Sequence, residues 1–292
     1  MSVYNVSGET AAPIYDYAGE MTPSAFNKDG ERVYFGLWYD EISVQKLRDD
    51  GLQTNYYLVR IPQTRQNGQK QFPFVFCPNG ASGGTQSTLE MMRTYGFFFG
   101  MNAGYFDAFQ TGSNKPYGIT IENGELIREA PEPYFSANYT LTIDGSGLLG
   151  YADPIADGTT AQELLDAGAV SAVLGLVPLV VDYEPSTTPS SIWGSTERAQ
   201  RQIIGQYANG DYAIVTCEGR DFDDSAGFLI TEARTLCTNL GLRFAIALDG
   251  GGSTETVIGD EQVNAIYEGA AGRIVPTYIV FNGTDQFFVP NS

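Results

Sequence analysis

The chain predicts an α+β (mixed α/β) domain built on a largely antiparallel central sheet, with several hairpins and a few packed helices. Three observations predict it. Runs of β-forming residues are separated by Asn123-Gly124, Asp144-Gly145 and Asn209-Gly210, dipeptides that suit tight hairpin turns. Helical periodicity is confined to a few short stretches, each opened by a Ser or Thr or closed by a Gly. The composition, with 18 Tyr, 17 Phe and 34 Gly but only 17% charged residues, suits strands and turns better than helix surfaces.

In chain order, residues 1–30 hold a short repeat, Val3-Tyr4-Asn5-Val6-Ser7-Gly8-Glu9 and then Ile14-Tyr15-Asp16-Tyr17-Ala18-Gly19-Glu20. Each copy reads as a short strand and turn, too small to stand alone. This stretch is therefore an attachment arm, and residues 31–292 form one domain. Residues 33–39 and 54–61 predict strands with a polar stretch between them, 65–70 a turn, and 78–84 a loop. Ser87 caps a helix bearing Leu89, Met91, Met92 and Tyr95, which Gly96 ends. Residues 97–107 predict a buried strand running into polar groups, and 117–129 and 139–151 predict hairpins. Thr160 with Glu163 has capping-box spacing, opening a helix that ends near Gly168. The apolar run 170–181 predicts one buried strand, and 184–194, with two prolines, a surface loop. A third hairpin spans 201–217. A helix over 231–240 turns Ala233, Leu236, Cys237 and Leu240 inward, and Gly241 closes it. Strands at 244–248, 256–258 and 277–281 complete the sheet.

Composition narrows the chemistry. There is no histidine, which removes the usual neutral-pH base, any Ser-His or Cys-His pair and any His-ligated metal. Acid–base work falls to carboxylates or tyrosine. The net charge of −19 repels nucleic acid and acidic membrane surfaces, so neither is an expected partner. Cys77, Cys217 and Cys237 are far apart and odd in number, so buried free thiols are expected. Residues 1–5 show no basic and apolar leader, and no stretch approaches ~18 apolar residues, so neither export through a signal peptide nor membrane spanning is expected.

The chemistry-bearing stretch is Ala245-Ile246-Ala247-Leu248-Asp249-Gly250-Gly251-Gly252-Ser253-Thr254, an apolar run that delivers a carboxylate, three glycines and two hydroxyls. Three consecutive glycines carry a high entropic cost, and are kept where backbone must take unusual φ or lie close to another group. A Gly-rich hairpin is the plain alternative.

Four segments in order, Asn102-Ala103-Gly104-Tyr105-Phe106-Asp107, Gly118 with Asn123-Gly124-Glu125-Leu126, Arg201-Gln202-Ile203-Ile204-Gly205, and Ala247-Leu248-Asp249-Gly250-Gly251-Gly252-Ser253, resemble the phosphodiester glycosidase family over roughly residues 95–282. The resemblance implies hydrolysis of a sugar-1-phosphodiester. Such a bond has a phosphate leaving group, which needs little protonation, so a site without histidine suffices. What it requires is a carboxylate to activate water or attack the anomeric carbon, cations and N–H donors for phosphate, and polar groups for sugar hydroxyls. Asp249 is the first candidate for the carboxylate and Asp107 the second. Gly250, Gly251 and Gly252 would offer N–H groups as an anion nest, with Ser253 adding a hydroxyl. Arg201, Arg220 and Arg273 are candidate phosphate ligands, the first and last standing where the family also has arginine. Asn102 and Tyr105 are candidate substrate hydrogen-bonders, whereas Phe106 reads as core. Asp221, Asp223 and Asp224 could hold Ca²⁺ but read more simply as a solvated acidic loop, and no cofactor or transition metal is required. Two departures stand out: Glu218 lies where relatives commonly carry Asp, and Glu255 puts a second carboxylate beside the glycines.

The expected partner is a glycan or glycosyl-phosphate polymer of a bacterial cell wall or capsule. The N-terminal arm resembles phage tail attachment arms, which implies contact with other virion or tail proteins through residues 1–25 and a virion or extracellular-facing location, with the cytoplasm as the alternative. A non-catalytic carbohydrate-binding or structural tail protein on the same fold is the competing reading.

Overall fold

The computed structural model describes residues 42–65, 68–109, 111–129, 139–187, 196–219, 224–259, 261–266 and 271–281 in full, and the backbone of four two-residue strands before them. Those four are β1 (Val3–Tyr4), paired with β2 (Thr10–Ala11), and β3 (Ala25–Phe26), paired with β4 (Arg32–Val33). The second repeat copy, at 14–20, and the strand expected at 34–39 lie outside the described residues.

The hairpin of β5 (Ser43–Asp49) and β6 (Thr54–Ile61) begins the fully described part. β5 occupies the polar stretch in which no strand was expected. Its apolar residues Val44 and Leu47 do not alternate, and as an edge strand it needs no continuous apolar face. β7 (Pro73–Phe76) follows. α1 (Thr88–Tyr95) has the expected caps, with Ser87 and Glu90 forming a reciprocal capping box and Gly96 left-handed at φ 73°. β8 (Phe99–Asn102) is shorter than the expected 97–107 strand. Beyond it, the Ala103 N–H bonds the Thr277 carbonyl at 3.1 Å and the Gly104 N–H bonds the Thr277 hydroxyl at 2.9 Å, as the chain leaves the sheet. A Cβ on Gly104 would lie 2.4 Å from Val173 Cγ2, so only glycine allows this exit.

β9 (Thr120–Glu122) and β10 (Glu125–Arg128) turn about Asn123-Gly124, both residues at positive φ, as the dipeptide predicts. β11 (Thr140–Asp144) and β12 (Leu149–Ala152) form the second hairpin, whose longer turn is organised by the Asp144 carboxylate accepting from the Ser146 and Leu148 N–H groups. After α2 (Pro154–Asp157), α3 (Ala161–Asp166) opens with the predicted Thr160–Glu163 capping box. The apolar run 170–181 is two strands, β13 (Ala169–Leu174) and β14 (Val177–Val181), in different sheets. The chain switches sheets at Gly175 and Leu176, whose N–H groups bond the Tyr139 and Ala247 carbonyls, both at 2.7 Å. An unbroken apolar run carries no mark of such a switch, because both halves are buried. β15 (Glu184–Pro185), the hairpin of β16 (Arg201–Gln206) and β17 (Tyr212–Cys217), α4 (Ile230–Asn239), β18 (Phe244–Ala247), β19 (Thr256–Ile258), β20 (Glu261–Gln262) and β21 (Tyr278–Phe281) complete the order.

These strands form three antiparallel sheets. The largest runs β15-β14-β18-β16-β17-β6-β5, a second β20-β19-β8-β21-β7, and a third β10-β9-β13-β11-β12. The α+β class and the antiparallel sheet are thus as the sequence predicts. The main core draws on all three sheets, with Tyr212 of the first edge-on to Phe281 of the second at 5.3 Å. Behind the site a polar knot joins the first two sheets. Gln202 donates to Thr216 at 3.3 Å and Thr256 at 3.1 Å, and the two threonine hydroxyls bond each other at 2.7 Å. The three cysteines are buried and free.

Candidate active site

β18 lies between β14 and β16 in its sheet, and the loop that follows it is held by carbonyls at the start of β16 and just beyond the end of β8. The Leu248 N–H bonds the Gln202 carbonyl at 2.8 Å, the Asp249 N–H bonds that of Ala103 at 3.0 Å, and the Gly251 N–H bonds that of Gln200 at 3.0 Å. Three of the sequence segments singled out above therefore meet at one point. The glycines are explained by crowding. A Cβ on Gly250 would lie 2.6 Å from the Gln200 carbonyl oxygen, one on Gly252 would lie 2.4 Å from Arg273 Nη2, and Gly251 has φ 60°.

Asp249 is buried, and burial pushes its carboxyl up to about 7. Three groups oppose that rise: the Ser253 hydroxyl donates to the carboxylate, the Arg273 charge faces it, and the Gly250 N–H bonds it. Arg273 Nη1 also donates to Ser253 Oγ at 3.3 Å. Asp249, Ser253 and Arg273 thus form one chain of contacts, with the guanidinium at one end and the carboxylate at the other. Tyr105 lies close enough to Asp249 for the carboxylate's charge, after burial, to hold its phenol protonated, while Arg201 opposes the rise. Tyr105 is therefore a donor at neutral pH.

This geometry, a carboxylate near its own titration midpoint beside a guanidinium and two hydroxyls, fits the chemistry that the resemblance implies. A family model for phosphodiester glycosidases matches residues 95–282. The chain belongs to the phosphodiester glycosidase family. The chain is 26% identical over 251 residues to the SPbeta prophage-derived uncharacterized protein YomE of Bacillus subtilis (strain 168), a match covering 80% of this chain and 37% of that relative. It thus spans little more than a third of the curated relative's length. Among solved structures, the zebrafish N-acetylglucosamine-1-phosphodiester alpha-N-acetylglucosaminidase catalytic domain, auto-inhibited by its pro-peptide, superposes with a TM-score of 0.61 at 16% identity, over 96% of this chain and 91% of that one. A hypothetical protein from Synechocystis matches with the same TM-score of 0.61 at 14% identity, over 83% of this chain and 62% of that one.

Within this phosphodiester glycosidase fold, several expected site residues bond to neighbouring protein groups. Two of the N–H groups expected to form the anion nest, those of Gly250 and Gly251, bond to the protein itself. The Gly251 N–H is turned to Gln200, the Gly250 N–H to the Asp249 carboxylate, and the Ser253 and Thr254 N–H groups close a 3₁₀ turn on Gly250 and Gly251 at 3.2 and 3.1 Å. Asp107 is buried and drawn into its own loop, where its carboxylate accepts the Thr111 N–H at 3.0 Å, the Ser113 hydroxyl at 2.9 Å and the Thr111 hydroxyl. That is an Asx-type role, in which the carboxylate organises the loop that follows it. Arg201 is buried too, with Nε on the Phe228 carbonyl at 2.9 Å and Nη2 on that of Glu197 at 2.6 Å. It is a clamp that lends charge to the site from beneath. Asn102 is likewise a scaffold group, joined to both ends of the loop.

Arg220, Asp221 and Asp223 lie outside the described residues, while exposed Asp224 accepts from the Asn55 amide at 3.0 Å. Among the described residues no three His, Cys, Asp or Glu gather as a metal site. Glu218 accepts the Ala265 N–H at 3.1 Å. Glu255 is buried at the start of α1, where it accepts the Thr88 N–H at 2.9 Å, and burial raises its pKa. It supports the helix from below. Sequence reasoning missed Thr277, which holds Gly104, Asn264, which donates to the Thr254 carbonyl at 3.0 Å, and Phe109, whose ring lies 5.5 Å from the Arg273 guanidinium carbon. None of these carries a spacing signal, since each acts across the fold.

Proposed function

We propose that the protein hydrolyses the bond between the anomeric carbon of a sugar and a phosphodiester, releasing the free sugar and a phosphate monoester. The observation that carries this reading is the continuous contact of Asp249, Ser253 and Arg273 at the mouth of β18. In its ionised form Asp249 activates water or attacks the anomeric carbon. Arg273 and Ser253 take up the charge that develops on the departing phosphate, and the protonated Tyr105 donates to a substrate oxygen.

The substrate on this reading is a glycosyl-phosphate polymer of a bacterial surface, and the protein is a virion component docked through residues 1–25. The prophage-derived origin in the name of the Bacillus relative supports that setting. Because protein and polymer are both anionic, binding should strengthen as salt screens their long-range repulsion.

The test is release of phosphate monoester from sugar-1-phosphodiesters by the wild type and by Asp249→Asn. Release by the wild type alone is the expected result. Background release by both would remove the enzymatic reading and leave a carbohydrate-binding module.

A further inference from the structure

Phe109 is 81% exposed, more than any other large apolar side chain among the described residues. Single exposed aromatics are common on protein surfaces. This one differs in where it is and how it is held. Its ring lies against Arg273, the residue that touches Ser253 and faces Asp249. The loop that carries it is tied at its base. The Asp107 N–H bonds the Lys115 carbonyl at 2.9 Å, the Asn114 N–H bonds that of Asp107 at 3.1 Å, and the Asn114 carbonyl accepts the Gly84 N–H at 2.8 Å. The buried Asp107 carboxylate then organises the turn through Thr111 and Ser113. A built loop thus presents a phenyl ring to solvent beside the phosphate-side cation.

The order of groups follows the order of atoms in a sugar-1-phosphodiester. Asp249 serves the anomeric carbon and Arg273 serves the phosphate, so the next position along the substrate is the second ester, the aglycone. We infer that Phe109 is the aglycone platform, selecting esters whose alcohol carries a ring, such as a second sugar offering its C–H face, over small alkyl esters. The inference rests on the reading of Asp249 and Arg273 given above. It also assigns Asp107 as the positioning residue of the platform.

The experiment compares kcat/KM for methyl and benzyl diesters of N-acetylglucosamine-1-phosphate and glucose-1-phosphate. The wild type should favour the benzyl ester through a lower KM. Phe109→Ala should shrink the benzyl-to-methyl ratio by about 3- to 10-fold, the range of one aromatic contact, and Phe109→Trp should restore it. A general structural lesion would lower both esters together and leave the ratio where it was. An unchanged ratio in Phe109→Ala overturns the platform while the hydrolase reading stands. Turnover of no ester by the wild type overturns the hydrolase reading itself, and the platform with it.

Discussion

The side-chain amide of Asn102 donates to the main-chain carbonyl of Asp249 at 2.8 Å, and its oxygen accepts the main-chain N–H of Glu255 at 3.1 Å. One side chain at the end of β8 thereby spans the whole glycine loop, from the residue that begins it to the residue beyond its 3₁₀ turn. Because Asn102 is buried, no water can replace either bond.

Asn102→Ala leaves a buried carbonyl and a buried N–H unsatisfied. Loss of stability on the order of 2–4 kcal/mol is expected, together with a fall in turnover as Asp249 loses its fixed position. Asn102→Asp should be no milder, since it loses the amide donor and sets a carboxylate against the Asp249 carbonyl. Urea denaturation of both variants checks this, and wild-type stability in either would show that the loop is held by other means.

The pH dependence follows from Asp249. With its carboxyl pushed up to about 7 by burial, the ionised form that the proposed reaction uses accumulates only as pH rises through that value. Turnover on a sugar-1-phosphodiester should therefore climb between pH 6 and 8, and a flat profile from pH 5 to 9 would deny Asp249 this role. For stability the sign runs the other way. The folded state holds this proton more tightly than the unfolded chain, so the contribution is complete below about pH 4 and is lost as pH rises to about 7. Asp249→Asn should thus melt higher than the wild type at pH 8 while losing activity, the usual trade where a buried charge serves function.

Much of this arrangement was legible in the residues. Asn123-Gly124, the Ser87 and Thr160 caps and the glycine that ends α1 all act within a few residues of themselves, so their geometry is written locally. The three segments converging on Asp249 could be named from their family pattern, and the structure brings them together. What stayed hidden depends on long-range contacts. Nothing near Gly175 marks the change of sheet, and nothing near Asp107 distinguishes a catalytic carboxylate from one that folds its own loop. Gly250 and Gly252 were read as offering N–H groups, yet their positions are set by the Gln200 carbonyl and the Arg273 guanidinium lying where a Cβ would be.

That crowding separates two glycines that flank the same residue, Gly251. Gly250→Ala meets a main-chain carbonyl that cannot move without disturbing β16, so a marked loss of stability is expected, on the order of 2 kcal/mol. Gly252→Ala meets the end of a flexible side chain, which can swing away. It should keep near-wild-type stability and raise KM by displacing Arg273 from Ser253. Thermal melts with steady-state kinetics on the same preparations distinguish the two, and the reverse pattern would contradict the packing described.

Arg273 and Arg201 should part in the same manner, although both were expected to meet phosphate. Arg201 is buried, and its guanidinium is tied to the Phe228 and Glu197 carbonyls. Arg201→Met removes donors from two main-chain acceptors and should cost on the order of 2–4 kcal/mol, with any activity that survives showing a near-normal KM. Arg273 is half-buried at the mouth of the site, where its bond to Ser253 is long, at 3.3 Å. Arg273→Met should leave the melting temperature close to wild type and cut kcat/KM by at least about 100-fold, the scale of losing one donor to a departing anion. Arg273→Lys should recover only part of that, because a point charge cannot bridge phosphate and Ser253 as a fork can. If instead Arg201→Met folds normally and loses phosphate affinity while Arg273→Met does not, the phosphate lies deeper, over β16, and the order of groups along the substrate must be reversed.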